Sequence, residues 1–302
     1  MKKTAVILTA LVLVLVLVSC NDSVSDKGRL HILSMGDNFK GIEKLELDSC
    51  ENDAKAVVEV FTKRALESGM TLGITKTLLG VADTSDTKGA TEVNVFGALN
   101  ALIAGASLND ITVIFLSTHG SNEVIGKVNY SESNNQGAYF IIEDGTKRIY
   151  FNTLLQYADK IPGTVLILAD LCHSGALIEQ NNVTYNVNNY TGSNPVSILF
   201  SDAAVRESSK VFVLAACSYF QLSYAGDENG LSVFTDYMLK ALGMSHYDAE
   251  GVHYASSIPA KKGNNILLSD IYGYIYKESK KNDEPQVVQM SAGTNDLVLF
   301  SF

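Results

Sequence analysis

The 302-residue sequence contains no tryptophan, only four prolines and four cysteines, and no run of lysine or arginine longer than two residues. Four cysteines in a chain of this length do not make a disulfide scaffold. Lys and Arg total 23 against 33 Asp and Glu, a net charge of −10, so nucleic-acid binding is disfavoured because it needs a basic surface. Hydrophobic residues make up 46% of the chain, which excludes intrinsic disorder as its main state.

The first twenty residues have the pattern of an export signal. A lysine pair precedes the apolar segment Ala5–Val18, which is shorter than the roughly twenty residues that a membrane-spanning helix needs. The segment ends in Leu-Val-Ser-Cys, which resembles the bacterial lipobox and implies lipid attachment to Cys20. A plain secretory signal or an uncleaved anchor is the alternative. We expect a signal peptide over residues 1–19, a tether over 20–28, and an exported protein lipid-anchored to the bacterial cell envelope, with the outer membrane favoured.

From residue 29 onward, apolar runs alternate with stretches of helical period, which is the pattern of an α/β fold. Several runs are continuous, as expected for parallel strands buried on both faces. The strand candidates are Leu30–Met35, Ile74–Leu79, Ile111–Ser117, Tyr139–Glu143, Thr164–Asp170 and Val211–Ala216. Helices are predicted around Ala54–Phe61, Phe96–Leu102, Asn152–Ala158, Phe234–Leu242 and Ser269–Lys277, with Asp48 or Ser49, Thr91 and Ser232 as candidate N-terminal caps.

Two reactive side chains follow buried strand candidates. His119 comes just after the strand that ends at Ser117, and Cys172 just after the strand that ends at Asp170. The active crevice of an open α/β sheet lies beyond the carboxyl ends of its strands, so the two side chains can face each other. A thiolate is a strong nucleophile, and a nearby imidazole lowers the pKa of the thiol and can protonate a leaving amine. The backbone N–H groups of Gly120 and Cys172 are candidates for stabilising an oxyanion.

The order of these residues resembles the caspase/metacaspase group of cysteine peptidases. His119 precedes Cys172 by 53 residues, and Asp-Leu-Cys-His-Ser-Gly around the cysteine is similar to the metacaspase pattern D-x-C-H-S-G. Segments 47–54, 211–218 and 230–235 are similar to three further family motifs in the same order, with Ser49 where the family has glycine.

The resemblance implies a caspase-like three-layer sandwich, in which a mostly parallel six-stranded sheet carries helices on both faces. It implies one peptidase domain over residues 29–302. Within it, residues 29–180 are large-subunit-like, 181–209 a mobile linker and 210–302 small-subunit-like. The implied function is that of a cysteine endopeptidase with a His119/Cys172 dyad, which acts on peptides or proteins.

The resemblance also implies an S1 pocket, the site that holds the P1 side chain before the scissile bond. Its residues are Cys50, Asp53, Ser117 and Asp170, and two carboxylates suit a desolvated Arg or Lys side chain. One alternative keeps the dyad but changes P1, for example to Asn as in legumain-like relatives. Another is a catalytically silent caspase-like lipoprotein that binds envelope partners.

No cofactor is required by this chemistry, and calcium is a candidate ligand. Some metacaspases use an acidic residue seven positions after the nucleophile, where Glu179 stands, and Glu132, Glu143 and Asp144 offer further oxygen ligands. A solvated acidic face is the alternative.

Two smaller expectations concern basic residues. Arg206 is the only basic residue between 180 and 209, which makes it a candidate for self-cleavage. His173 is assigned a structural role. No motif surrounds His31, His246 or His253, and they are interpreted as ordinary surface or core residues.

Overall fold

The computed structural model describes residues 27–80, 88–122, 137–143, 145–178, 210–226, 230–282, 286–291 and 297–302. The expected signal peptide with Cys20, the linker with Arg206, and Glu132, Asp144 and Glu179 lie outside these residues. No helix within the described ranges is long and apolar enough to span a membrane.

The described residues alternate between strands and helices along most of the chain. In chain order, the strands are β1 (Arg29–Gly36), β2 (Thr71–Leu79), β3 (Ile111–Ser117), β4 (Gly120–Asn122), β5 (Ala138–Ile142), β6 (Lys147–Tyr150), β7 (Thr164–Asp170), β8 (Val211–Ala215), β9 (Met244–Asp248), β10 (Gly251–Tyr254), β11 (Lys261–Lys262), β12 (Asn265–Leu267), β13 (Gln289–Met290) and β14 (Val298–Ser301). The α-helices are α1 (Cys50–Glu67), α2 (Glu92–Gly105), α3 (Phe151–Lys160), α4 (Val233–Ala241) and α5 (Leu268–Ser279). A 3₁₀ turn covers Ser174–Leu177.

A six-stranded sheet with the spatial order β13-β8-β7-β3-β1-β2 forms the centre of the molecule. Its strands are parallel except β13, which pairs antiparallel with β8. Five of the six strand candidates lie in this sheet. The sixth candidate, Tyr139–Glu143, is also a strand but lies outside the central sheet, because β5 pairs with β4 and β6 in a separate antiparallel sheet. The sixth central strand, β13, is two residues long, too short to give a sequence pattern.

Both faces of the central sheet are covered by helices, so the expected three-layer α/β architecture is confirmed. Alternate residues of one strand enter different cores: Val113 and Phe115 of β3 pack with α1, α4 and α5, whereas Ile114 and Leu116 pack with α2 and α3. Burial on both faces explains why these strands read as continuous apolar runs.

Among the predicted N-terminal caps, only Thr91 caps its helix through its side chain. The Thr91 hydroxyl accepts a hydrogen bond from the Asn94 amide at 3.3 Å, as expected of the α2 cap. Ser49 and Ser232 directly precede α1 and α4, but neither side chain caps its helix. Both hydroxyls are directed instead into the candidate active site.

Candidate active site

The candidate site lies at the carboxyl ends of β3 and β7, which are neighbours in the central sheet. Their last residues, Ser117 and Asp170, are paired in the parallel register. His119 and Cys172 each stand two positions beyond one member of this pair. Since paired parallel strands run about 4.8 Å apart, both reactive residues begin from neighbouring points at the same sheet edge.

The loops after the two strands touch at Gly120. A Cβ added to Gly120 would come closer than 3.0 Å to the Cys172 carbonyl oxygen and to the Leu171 side chain. Glycine is therefore the residue that permits this approach of two backbones. The contact brings the backbones of both candidate oxyanion donors, Gly120 and Cys172, together.

The imidazole of His119 is held by the segment before α1. Its Nε2 atom lies 2.8 Å from the Leu45 carbonyl oxygen, and its ring lies 5.4 Å from that of Phe39 between centroids. A carbonyl oxygen can only accept a hydrogen bond, so Nε2 carries the proton in this contact. The neutral ring then has its lone pair on Nδ1, which is the atom able to accept a proton.

The Cys172 thiol is half-buried, with its Sγ atom 3.9 Å from the Ser223 carbonyl oxygen. Burial raises the pKa of the thiol above its usual value, and the nearby carboxylate of Asp170 raises it further. The expected lowering of this pKa by an imidazole is not among the causes of the shift, of which burial is the largest. The thiol is therefore protonated at neutral pH and needs a base to become a nucleophile.

The Asp53 carboxylate on α1 is fully buried and bound by hydroxyls and a backbone amide. It accepts hydrogen bonds from the Ser117 hydroxyl at 2.7 Å, the Ser232 hydroxyl at 2.6 Å and the Ser232 amide at 2.8 Å. Asp170, 4% exposed, is bound in the same way by the Ser223 hydroxyl at 2.6 Å and by the Thr235 hydroxyl and amide at 2.7 and 3.2 Å. Within the described ranges, neither carboxylate has a salt bridge.

Burial without a cation changes the protonation of this pair. Burial, followed by the charge of Asp170, raises the pKa of Asp53 to about 8, and burial raises the pKa of Asp170 to about 6. Desolvation penalises the charged form, and the hydroxyl donors offset only part of that penalty. Burial raises the pKa of the Cys50 thiol at the start of α1, the charge of Asp53 raises it further, and the Ser117 hydroxyl beside it offsets part of the rise. The four expected S1 residues thus form one buried polar group.

Four further residues of this buried polar group were not predicted as site residues, although three of them belong to the motif segments 47–54 and 230–235. Ser223 and Thr235 bind Asp170, and Ser232 binds Asp53. The Ser49 hydroxyl lies 2.9 Å from that of Ser232 and accepts from the Gly226 amide at 3.0 Å. The departure from the family's glycine at position 49 thus adds a hydroxyl behind Asp53. The motif segments 47–54 and 230–235, which contain Ser49, Ser232 and Thr235, were the available sequence signal.

His173 and Cys217 lie beside the reactive Cys172, but neither is a candidate nucleophile. His173 has a left-handed backbone (φ +61°), and its Nδ1 atom lies 2.8 Å from the Tyr219 carbonyl oxygen. Cys217 is buried, and burial raises the pKa of its thiol to about 11. Cys50, Cys172 and Cys217 are all free thiols.

The acidic residues expected as calcium ligands are mostly beyond the described ranges. Glu143 is described, and its carboxylate accepts a hydrogen bond from the Glu92 amide at 3.2 Å. This contact places Glu143 at the start of α2, where an acidic side chain is favoured by the helix dipole.

Comparison with known proteins agrees with this architecture. Residues 32–181, about half of the chain, match the family described as metacaspase, peptidase C14 domain. A structural-genomics crystal structure from Geobacter sulfurreducens aligns with a TM-score of 0.54 at 18% identity, covering 87% of this chain and 92% of that one. Caspase-1 from Spodoptera frugiperda aligns with a TM-score of 0.50 at 11% identity, covering 93% and 95%. No curated protein matches the sequence. The chain thus has the caspase-like fold, and its match to the metacaspase peptidase domain supports a cysteine peptidase function.

Proposed function

We propose that the protein is a cysteine endopeptidase that cleaves peptide bonds after Arg or Lys through a His119/Cys172 dyad. The observation that carries this proposal is the pair of buried carboxylates, Asp53 and Asp170, with no cationic partner within the described ranges. A guanidinium or ammonium group in that pocket supplies the missing charge and forms charge-assisted hydrogen bonds. An Asn or Asp side chain offers no positive charge to this pair.

The chemical step begins with a protonated thiol. His119 Nδ1 takes the Cys172 proton as the sulfur attacks the scissile carbonyl carbon, since the opposite ring nitrogen is engaged by Leu45. The backbone N–H groups of Gly120 and Cys172 stabilise the oxyanion. The protonated imidazole then donates to the leaving amine, and a water molecule activated by Nδ1 hydrolyses the thioester.

Substrate binding changes the charge of the pocket. In the free protein the raised pKa values of Asp53 and Asp170 favour at least one protonated carboxyl at neutral pH. A bound cation favours the ionised forms, so a proton is released when a basic P1 residue enters. Ionising the buried carboxylates costs free energy, and only a positively charged P1 side chain compensates that cost. This difference is a physical basis for specificity toward Arg and Lys.

A peptide panel that differs only at P1 tests the proposal. The full chain and its Cys172→Ala variant are assayed on Arg, Lys, Asn and Asp peptides, with calcium and with a chelator. Cleavage of Arg and Lys peptides only by the intact thiol supports the proposal, and loss of that cleavage on chelation assigns a calcium requirement. Preferential cleavage after Asn favours the legumain-like alternative.

The silent alternative needs a separate measurement. An Arg-containing electrophilic peptide is added to the full chain, and the modified residue is located by mass spectrometry. Labelling at Cys172 supports a functional dyad. No cleavage of any peptide and no labelling favour a caspase-like binding protein without activity.

We also propose that the enzyme is exported and anchored to the cell envelope by lipid on Cys20. The lysine pair, the short apolar segment and the Leu-Val-Ser-Cys ending support this. Incorporation of labelled fatty acid into the full chain, and its loss in Cys20→Ala, tests the anchor independently of peptidase activity.

A further inference from the structure

A β-hairpin far along the chain from the dyad presents a second group of chemically reactive side chains. Strands β9 and β10 pair antiparallel, with His246 opposite His253 and Asp248 opposite Gly251. Side chains alternate between the two faces of a strand, so His246 and Asp248 share one face with His253. Tyr247 packs against the core from the other face. The two imidazoles and the carboxylate are therefore on the outer face of the hairpin.

The three side chains converge closely. His253 Nε2 lies 3.0 Å from Asp248 Oδ1, and His246 Nε2 lies 3.5 Å from Asp248 Oδ2. The two imidazole rings are nearly parallel, with centroids 4.2 Å apart. One ligand atom from each residue lies within 4.8 Å of the other two, and no second such His/Cys/Asp/Glu cluster occurs among the described residues.

These separations suit a tetrahedral transition-metal site. Ligands about 2.0–2.1 Å from a tetrahedral Zn²⁺ ion are themselves about 3.3 Å apart. One ligand atom from each residue lies within 4.8 Å of the others, and the two histidine–carboxylate distances, 3.0 Å to Oδ1 and 3.5 Å to Oδ2, are close to that spacing, so side-chain rotation can bring one atom from each residue around one ion. Two imidazoles and one carboxylate are a donor set that favours Zn²⁺ over Ca²⁺ or Mg²⁺, which prefer oxygen ligands.

Neighbouring groups orient two of the three ligands. The Ser245 hydroxyl lies 3.2 Å from His246 Nδ1, on the side of the ring opposite the carboxylate. The Glu250 amide donates to Asp248 Oδ1 at 2.8 Å through the tight turn of the hairpin. Such partners fix the tautomer and the orientation of metal ligands.

We propose that His246, Asp248 and His253 form a binding site for a divalent transition metal ion, with zinc as the best fit and with water at the fourth position. The site lies on a different element from the dyad and from the calcium candidates. It does not depend on the proposed peptidase function. The fourth position is open to solvent, so the ion exchanges with free metal.

Titration of the full chain with Zn²⁺, monitored by isothermal calorimetry, tests the site. The protein carries Cys172→Ala, which removes the half-buried thiol as a competing ligand. We expect one Zn²⁺ per chain, with affinity lowered about tenfold or more in His246→Ala, His253→Ala and Asp248→Asn, since each loses one of three ligands. Glu250→Gln, which removes a side-chain carboxylate from the same turn but keeps the backbone amide that binds Asp248, is the matched control.

Cobalt substitution identifies the ligand type. Co²⁺ bound by nitrogen and oxygen gives visible d–d bands without the sulfur charge-transfer bands of a thiolate site. Melting temperatures measured in chelator establish that each variant is folded. Equal Zn²⁺ affinity in all three ligand variants and Glu250→Gln, or sulfur bands in the Co²⁺ spectrum, overturns the proposal.

Discussion

Ser232 donates both its backbone amide and its hydroxyl to Asp53, from a position 179 residues further along the chain. The contact joins α1, at the beginning of the domain, to the start of α4 near its end. Because Ser232 does not cap its own helix, its hydroxyl is free to bind the buried carboxylate. The protonation state of Asp53 is therefore set by both halves of the domain.

Removal of either member of the dyad is expected to stop catalysis without unfolding the protein. Cys172→Ala should reduce turnover of an Arg-P1 peptide to background, and His119→Ala should lower it by about 10²- to 10⁴-fold, the range for general acid–base groups. Cys217→Ser is the matched thiol control, because that buried cysteine stays protonated and should leave activity within a few-fold of the original. Wild-type turnover by Cys172→Ala contradicts the assignment.

Loss of one pocket charge is expected to reduce cleavage after basic residues selectively. Asp170→Asn should cost about 3–5 kcal/mol of transition-state stabilisation on Arg peptides, the range for breaking a buried charge pair. Adding Asp53→Asn should cost little more, since both act on one cation. Asp236→Asn, which removes a carboxylate paired with Lys240 on α4, is the control. If Asp170→Asn lowers cleavage of Arg peptides by less than about tenfold, Asp170 has only a structural role in the turn after β7.

The free protein is expected to lose stability as the pH rises from 5 to 8.5. The pKa of Asp53, about 8 in the folded state, exceeds its ordinary value, so the folded state binds more protons in this window. The free energy of unfolding of Cys172→Ala therefore falls with pH, by at most about 1.4 kcal/mol per pH unit for one group. Urea unfolding at several pH values measures the slope.

The slope should disappear when the two pocket carboxyls are replaced by Asp53→Asn and Asp170→Asn together. Asp110→Asn is the control, because the pKa of Asp110 is lowered to about 2 through hydrogen bonds from His31 and Arg29. Its contribution is lost only in acid, below this window. A stability that rises with pH in Cys172→Ala contradicts the protonated pocket.

The contact between the loops after β3 and β7 predicts an intolerance of any side chain at Gly120. Gly120→Ala should displace Cys172 and lower kcat/KM by about 100-fold, as small misplacements of reacting groups do. Gly97→Ala in α2 is the matched control, since its Cβ meets no atom within 4 Å. That change should leave activity intact and stabilise the protein by about 0.5–1 kcal/mol. Equal activity of both variants contradicts a role for this backbone contact in placing Cys172.

Self-cleavage is expected after Arg206, the basic residue of the polar segment before β8. Incubation of the active protein should produce a new N-terminus at Glu207, and Cys172→Ala incubated beside it should not. Arg206→Gln, with Lys210 retained, tests which bond is cut. An intact chain at full activity rejects a requirement for self-cleavage.

Local pattern identified the strands that carry the candidate site, and the family resemblance assigned Ser117 and Asp170 to its S1 pocket. His119, Cys172, Ser117 and Asp170 each follow or end a continuous apolar run, and such runs identify buried strands without knowledge of their neighbours. The N-terminal cap Thr91 was found in the same way, from residues a few positions apart. The donors Ser223, Ser232 and Thr235 were not assigned, because no local pattern shows that each binds a carboxylate on another element.

Residues close together in the chain were enough to predict the five helices, the five long parallel strands of the central sheet and the placement of His119 and Cys172 just after two of those strands. Tertiary structure alone decided the short strand β13, the raised pKa of the Cys172 thiol and the convergence of His246, Asp248 and His253. Burial sums over contacts from many distant segments, and strand register selects which side chains meet. Neither burial nor strand register can be predicted from the residues of one segment alone.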